Sequence, residues 1–366
     1  MRKGNKMKKL TSRYHEFKRQ IARRIVYSIL LVLIIAVTSV KVAAQDIHFS
    51  QFFEAPLLRN PSLAGIFTGD IRVQGVYRNQ WGSVTIPYKT GSFNFEYKKP
   101  IGRGDDFITT GLQLLYDKAG TTNFTTTNVL PALNYHKSLS DQKTKYLSLG
   151  FMGGIVQRRI DRSKMTTNNH YDGNGFNPGL ADGESFVNAN YSYADGSVGM
   201  SFNSAIGDGK AGDNYFFGVA YHHFNRPKNT FYTSPAIELS PKWVISSGVR
   251  FDLNETSYFT LQADHNIQGP YRETVGGALY SYKIGNDYDN PDYTVHFGAF
   301  LRWKDAFIPV VKLDYNPFSV ALSYDVNVSE LKTASQGKGG MELSVTYRGF
   351  FDRNNSSRNA VLCPKF

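Results

Sequence analysis

The residues from His170 to Glu184 contain enough side-chain oxygens to suggest a calcium-binding loop. A calcium loop of the EF-hand kind needs a ligand at its fifth position and glycine at its sixth. Counted from Asp172, these positions hold Phe176 and Asn177, so the spacing is wrong. Asn-Gly and Asp-Gly steps are also ordinary turn chemistry. We therefore expect no metal here and interpret the segment as a surface loop.

A second candidate for chemistry is the pair His222 and His223. Neighbouring residues of a strand point to opposite faces, so on a strand these two imidazoles cannot bind one ion together. The sequence has no serine in a nucleophile elbow and no His-Glu-x-x-His helix. We predict a protein that is not an enzyme and uses no cofactor. A hydrolase stays open as an alternative, because a fold could bring a nucleophile and a base together.

Three arginines, Arg158, Arg159 and Arg162, lie close together in the sequence. They could define an anion-selective mouth. We favour the plainer interpretation of a solvated basic rim.

Residues 1–44 have the pattern of a signal peptide. The first 24 residues carry ten Lys or Arg and one Glu, residues 25–40 are almost entirely apolar, and Val42-Ala43-Ala44 suits signal peptidase. Lys41 ends the apolar run before the ~20 residues that a spanning helix needs. We expect cleavage after Ala44.

The basic charge of the whole chain belongs mostly to that segment. It holds eleven of the 42 basic residues and one of the 30 acidic residues, so residues 45–366 carry a net charge of only +2. Such a balance excludes a surface built to bind nucleic acid. Cys363 is the single cysteine, so no internal disulfide can stabilise the exported protein.

The dominant pattern after residue 45 is strict alternation of apolar and polar residues, as in Phe318-Ser-Val-Ala-Leu-Ser-Tyr-Asp. In the strand near residues 292–303 only Phe300 interrupts the polar face. The template predicts fourteen strands, near 71–79, 91–99, 107–117, 124–136, 145–157, 190–203, 214–224, 242–252, 257–267, 272–284, 292–303, 306–315, 317–328 and 339–351.

These strands are long enough to cross a membrane, since about 9–11 tilted residues span the bilayer core. An exported β-sandwich would alternate too, but its strands would be shorter. Aromatic residues at strand ends, such as Tyr293 and Trp303, are typical of the girdles of outer-membrane barrels. We therefore predict an all-β fold, a single antiparallel transmembrane β-barrel of about 14 strands over residues 70–351, located in the cell outer membrane.

Loop lengths predict the orientation of this barrel. If the first strand starts in the periplasm, the two longest connections, 158–189 and 225–241, lie outside the cell. Residues 45–69 precede the first strand and are rich in Phe and Leu, so we expect a periplasmic or plug segment that enters the barrel. Residues 352–366 follow the last strand, and we expect a short C-terminal tail in the periplasm.

The chain resembles the PorP/SprF family of outer-membrane proteins of the type IX secretion system. The resemblance covers residues 45–366. The residues that carry it are His48-Phe-Ser-Gln-Phe-Phe53, Pro56-Leu-Leu-Arg-Asn-Pro-Ser-Leu-Ala-Gly65, Tyr77-Arg-Asn-Gln-Trp81, the loop Tyr171–Glu184 and Cys363-Pro-Lys-Phe366. Where the family commonly has Asn-Pro-Ala, this chain has Asn60-Pro61-Ser62.

This resemblance implies a role in secretion or gliding motility, in which the barrel helps to export or anchor a surface protein through its C-terminal domain. It implies outer-membrane lipid, other secretion components and the secreted protein as partners, and no enzymatic step. The expected partner-binding residues are Phe49, Gln51, Phe52, Asn60, Pro61, Gly65, Asp172, Glu184, Cys363, Pro364 and Phe366. A channel for apolar solutes is the alternative, and a continuous apolar pocket in the lumen would favour it.

Overall fold

The structure, a computed structural model, describes residues 46–82, 86–102, 105–141, 144–184, 186, 188–207, 212–232, 237–330 and 332–351. The predicted signal peptide and the C-terminal tail lie outside these residues. No helix in the described ranges is long and apolar enough to cross a membrane.

Fourteen antiparallel strands form one closed barrel, as predicted. Each strand pairs with its neighbours in the sequence, and the first strand pairs with the last, where Val76 lies opposite Ser344. Closure leaves no unpaired sheet edge, which lipid would not tolerate. The strands are β1 Ile71–Gln80, β2 Tyr88–Pro100, β3 Phe107–Ala119, β4 Phe124–Ser138, β5 Lys145–Arg159, β6 Asn190–Ala205, β7 Asn214–His222, β8 Lys242–Asn254, β9 Ser257–Gln268, β10 Tyr271–Ile284, β11 Tyr293–Arg302, β12 Ala306–Tyr315, β13 Phe318–Asn327 and β14 Lys338–Gly349.

The alternation in the sequence separates an outer apolar face from an inner polar one. On β13 the outward Val320 and Leu322 are 42% and 49% exposed, whereas the inward Ser319 and Ser323 are 3% and 2% exposed. This is the reverse of a soluble protein, because the surrounding solvent is the hydrocarbon of the membrane.

The two ends of the barrel differ in their connections. One end, here called the long-loop end, carries residues 160–189 and 223–241 between strands. The opposite end, the short-turn end, carries connections such as residues 255–256 and 316–317. Short helices lie at Arg162–Lys164 and Asn168–His170 in the first long loop and at Lys332–Ser335 before β14. The two longest connections share one end, as predicted, and the outward orientation of that end stays a prediction.

Residues 46–69, here called the inner segment, lie inside the barrel. They form three short helical turns, Phe52–Glu54, Pro56–Arg59 and Pro61–Leu63. The segment runs from the long-loop end, where Asp46 contacts Gln268, to the short-turn end, where the Phe67 carbonyl accepts from Lys98. The chain therefore crosses the lumen once before β1 begins, a path that the sequence did not predict.

Candidate functional site

The apolar residues of the inner segment pack against four different parts of the barrel wall. Leu57 and Ala64 contact β4 and β5 at Leu130, Ala132 and Met152, and Phe49 and Ala55 contact Val76 and Leu115. Leu63 and Ile66 pack on Phe216 of β7. Because these side chains point in several directions, the segment contacts several sides of the lumen at once.

Phe300, the residue that interrupts the polar face of β11, belongs to this packing. Its ring stacks on Phe53 with centroids 5.1 Å apart and meets Phe52 edge-on at 5.3 Å. Phe300 is 1% exposed. An apolar residue on the inner face is therefore explained by the aromatic pair that covers it.

Buried ion pairs hold the middle of the inner segment. The guanidinium of Arg59 donates to both carboxylate oxygens of Asp264 on β9, with Nε 2.8 Å from each. Glu54 accepts from the ammonium of Lys312 at 2.6 Å and from the amide of Gln74 at 2.8 Å. These charges are almost fully buried, so each depends on its partner to offset the loss of hydration.

A third buried carboxylate captures the backbone of the segment. Glu342 of β14 accepts from the amide nitrogens of Ser50 and Gln51, each at 2.7 Å. Beside it, Asp325 accepts from the hydroxyl of Ser50 and from Arg302. Charged acceptors make such hydrogen bonds about twice as strong as neutral ones. They fix the backbone of the segment at this position.

The Asn60-Pro61 step lies on an inner surface without side chains, formed by Gly150, Gly199 and Gly218 on three adjacent strands. A β-carbon on Gly150 would lie 2.5 Å from the Pro61 carbonyl carbon. A β-carbon on Gly218 would lie 2.9 Å from the side-chain nitrogen Nδ2 of Asn60. Only glycine permits this close approach. We refer to these three residues as the glycine surface.

Gly65 closes the segment at the short-turn end. Its φ of +81° is in the left-handed region, and its amide donates to Glu96 at 2.7 Å. A β-carbon there would lie 2.0 Å from the Thr109 hydroxyl. His136 contacts the carbonyl of Ala64 at 2.7 Å.

The first described residue of the segment, Asp46, is bound at the long-loop end. Its carboxylate lies 2.6 Å from Nε2 of His223, whose Nδ1 lies 2.8 Å from Asp195 of β6. Burial opposes the charged imidazole, but the carboxylates of Asp46 and Asp195 together outweigh it and raise the pKa of His223 to about 9. His223 is therefore charged at neutral pH and joins two carboxylates.

The expectation that His222 and His223 point to opposite faces was wrong. His223 follows β7 with a φ of +56°, which turns its side chain back inward, and both histidines are buried. His222 contacts Ser197 at 2.9 Å. Among the residues that the structure describes, no group of three or more His, Cys, Asp or Glu could hold a metal ion.

His48 contributes as a neutral group. Burial lowers the pKa of His48 to about 3, against the opposing effect of the Glu273 carboxylate and with the help of the nearby Arg302. The uncharged Nε2 can then accept a hydrogen bond from the Arg302 guanidinium at 2.6 Å.

Cavities of about 10 Å³ and 40 Å³ lie between the inner segment and the barrel wall. The smaller cavity has room for at most about one water molecule and the larger for about three.

Among its described residues, the first long loop is held together by an ion pair between Arg162 and Asp182. Arg162 donates through Nε to Asp182 at 2.6 Å and through Nη2 to the carbonyl of Glu184 at 2.9 Å. The Glu184 carboxylate accepts from Tyr232 of the second long loop. Asp172 is exposed and caps a turn at Asn174.

The predicted partner-binding residues thus fall into three places. Phe49, Gln51, Phe52, Asn60, Pro61 and Gly65 are buried in the lumen against the chain's own strands. Asp172 and Glu184 lie in the first long loop, and Cys363, Pro364 and Phe366 lie outside the described residues. Sequence reasoning missed the wall residues that hold the segment: Asp264, Lys312, Glu342 and the glycine surface. The signal in the sequence that could have identified them is a charged residue or a glycine at an inward-facing strand position.

Comparison with known families gives a match to one family, described as type IX secretion system membrane protein PorP/SprF, over residues 41–347. No curated protein sequence matches the chain.

Solved structures with a similar fold are distant in sequence. The Ralstonia pickettii toluene transporter TbuX is 12% identical with a TM-score of 0.46, over 85% of this chain and 96% of that one. The TodX monoaromatic hydrocarbon channel deltaS2 mutant is 11% identical with a TM-score of 0.46, over 81% and 94%. CdiB from Acinetobacter baumannii is 9% identical with a TM-score of 0.44 over 76% of this chain, which spans only 60% of CdiB.

Proposed function

This chain belongs to the PorP/SprF family of type IX secretion system membrane proteins, and we propose that it works as a closed outer-membrane platform. In this role it helps to export or anchor a cell-surface protein, such as a gliding adhesin, through that protein's C-terminal domain. The secreted protein does not pass through the lumen. It is bound at the loops, the turns and the C-terminal tail of the barrel.

The observation that carries this proposal is the way the inner segment is bound. Arg59, Glu54 and the amides of Ser50 and Gln51 are each bound to a buried, charged wall residue. Removing one partner of such a pair costs about 3–5 kcal/mol, so withdrawing the whole segment would expose several unpaired charges. A segment bound in this way favours a permanent filling over a gate that opens at each export event.

The family residues of the inner segment then act indirectly. Phe49, Gln51, Phe52, Asn60, Pro61 and Gly65 position the segment, and a partner is contacted by Asp172, Glu184, Cys363, Pro364 and Phe366. Short turns and the tail would meet periplasmic components of the secretion system. This division assigns recognition to the two ends of the barrel and stability to its interior.

The experiment locks the segment in place. In the native protein, Oγ of Ser201 lies 3.3 Å from the carbonyl oxygen of Ser62. Ser62→Cys and Ser201→Cys are introduced together in a Cys363→Ser background, and the two cysteines are joined by a short thiol crosslinker. Surface display of the secreted protein is then measured in cells. Normal display by the locked protein is expected, and loss of display with intact barrel would show that the lumen must open.

A matched control separates locking from the substitutions themselves. The same double variant without crosslinker, in the same Cys363→Ser background, sets the level of display with which the locked protein is compared. If Cys363→Ser alone abolishes display, the tail cysteine is required, and a Cys363→Ala background decides whether the thiol or only a small apolar side chain is needed.

A channel for apolar solutes remains the second candidate. The inward wall residues are mostly polar, and apolar wall residues such as Phe300 and Leu130 are covered by the segment. No continuous apolar passage is formed by the described residues. Uptake of a labelled apolar solute by cells that produce the locked protein would test this candidate.

A further inference from the structure

The outer surface of the barrel carries a row of cations at the long-loop end, on β2 to β5. The register places Lys89 opposite Lys118, Lys118 opposite Thr125, and Thr125 opposite Arg159. These residues alternate with the buried Thr90 and Thr126, so they point outward. The row therefore presents three positive charges to the surroundings of the barrel.

This arrangement is unfavourable unless an anion is present. Directly opposed residues of an antiparallel pair have their β-carbons about 4.5–5.5 Å apart, and like charges placed so destabilise the sheet. Within the described ranges, Lys89, Lys118 and Arg159 form no ion pair with a carboxylate. Asp161, two residues after Arg159, is bound by Lys164 at 3.6 Å instead.

Below this row, the residue types on the outer surface change in the same order as the parts of a lipid molecule. Moving toward the short-turn end, the next row holds Gly91, Tyr116, Thr127 and Gln157, and the row after it holds Phe93, Leu114, Val129 and Ile155. Charge, then polar and aromatic groups, then apolar groups match a headgroup, an interface and acyl chains.

The row is local to one side of the barrel. Near the same end, the outward row on β7 to β10 is Tyr221, Trp243, Ile267 and Arg272, with a single cation. A general attraction to the membrane surface would not need three cations gathered within four neighbouring strands.

We propose that Lys89, Lys118 and Arg159 bind the phosphate groups of a glycolipid of the outer leaflet, with its acyl chains lying on Phe93, Leu114 and Ile155. Charge-assisted hydrogen bonds from lysine and arginine are the usual way in which proteins hold phosphate. The site rests on the outward orientation of the long-loop end and is independent of how the secreted protein is handled.

The test is native mass spectrometry of the purified full-length protein in detergent, incubated with lipid A or with dephosphorylated lipid A. The wild-type protein is expected to retain lipid A and to release the dephosphorylated form. Lys89→Gln/Lys118→Gln should weaken retention about 30-fold, at about a factor of five for each basic residue. Lys99→Gln/Lys145→Gln removes the same charge from outward positions at the short-turn end and should retain lipid A normally.

Equal retention by the two double variants would overturn the proposal. So would equal retention of the two lipids by the wild-type protein, an outcome that can be read even if a variant fails to fold. Retention that 10-fold excess inorganic phosphate abolishes would assign the site to free phosphate and also contradict the lipid assignment. Heat-modifiable migration checks that each variant contains a folded barrel.

Discussion

A β-carbon on Gly199 of β6 would lie 1.9 Å from the amide oxygen of Asn60. The strand and the inner segment therefore meet without a side chain between them. The Asn60 oxygen also accepts from the amide and the hydroxyl of Ser62, so it has little freedom to move away. This contact links a family motif to a specific place on the barrel wall.

Gly199→Ala should displace the inner segment while the barrel itself still forms. Overpacking of this kind costs about 1–3 kcal/mol. We expect cleavage by trypsin after Arg59 to become about tenfold faster or more, because cleavage follows the population of the released segment. The control is Gly75→Ala, an outward position of β1 with no heavy atom within 4 Å of the added carbon. Equal cleavage of both variants would contradict the role of the glycine surface.

Arg59→Gln should destabilise the protein strongly because it leaves the Asp264 carboxylate buried without its cation. The expected cost is about 3–5 kcal/mol, measured as a lower temperature at which the heat-modifiable band is lost. Lys137→Gln removes a cation from the exposed pair with Asp106 and should cost less than about 1 kcal/mol. Arg59→Met combined with Asp264→Leu should recover much of the loss, and failure to recover would mean that the charges act by more than their mutual pairing.

Leu322→Arg places a charge on the outward, lipid-facing side of β13. It should make the free energy of membrane insertion less favourable by about 2–4 kcal/mol. The measurement is the amount of folded barrel in the outer-membrane fraction. Leu322→Phe keeps the position apolar and should insert normally. Ser323 points inward, so the alternation alone suggests that a charge there would be tolerated. Its hydroxyl accepts a hydrogen bond from the side-chain amide of Gln51 at 3.0 Å, so Ser323 is not a neutral control position. Normal insertion of Leu322→Arg would mean that this face does not meet lipid.

The contact between Asp46 and His223 should loosen at high pH. The pKa of His223 in the folded protein, about 9, lies above its ordinary value of 6.5. The stabilisation is therefore complete below about pH 6.5 and is lost as the pH rises through about 9. A spin label on Ile47→Cys in a Cys363→Ser background should become mobile over that range. In His223→Gln the label should be mobile at every pH, and a pH response that persists there would assign it to another group.

The sequence alone determined the barrel. The side-chain period of a strand is two residues, so alternation over ten or more residues identifies each strand and its outward face without any knowledge of its neighbours. Val320 and Leu322, apolar positions of the alternating run that begins at Phe318, do face outward in the structure. Loop lengths in the sequence likewise distinguished the two ends of the barrel.

Only the tertiary structure decided what the lumen contains. Arg59 and Asp264 are 205 residues apart and become partners only when a closed barrel brings β9 beside the inner segment. The inner segment has no alternation to mark its contacts, and its polar residues are paired with wall residues from distant strands. His223 shows the same limit locally, since one positive φ at the end of β7 reversed the face that the strand period assigned to it. A periodic pattern is a property of neighbouring residues, whereas the partner of a buried charge is a property of the folded chain.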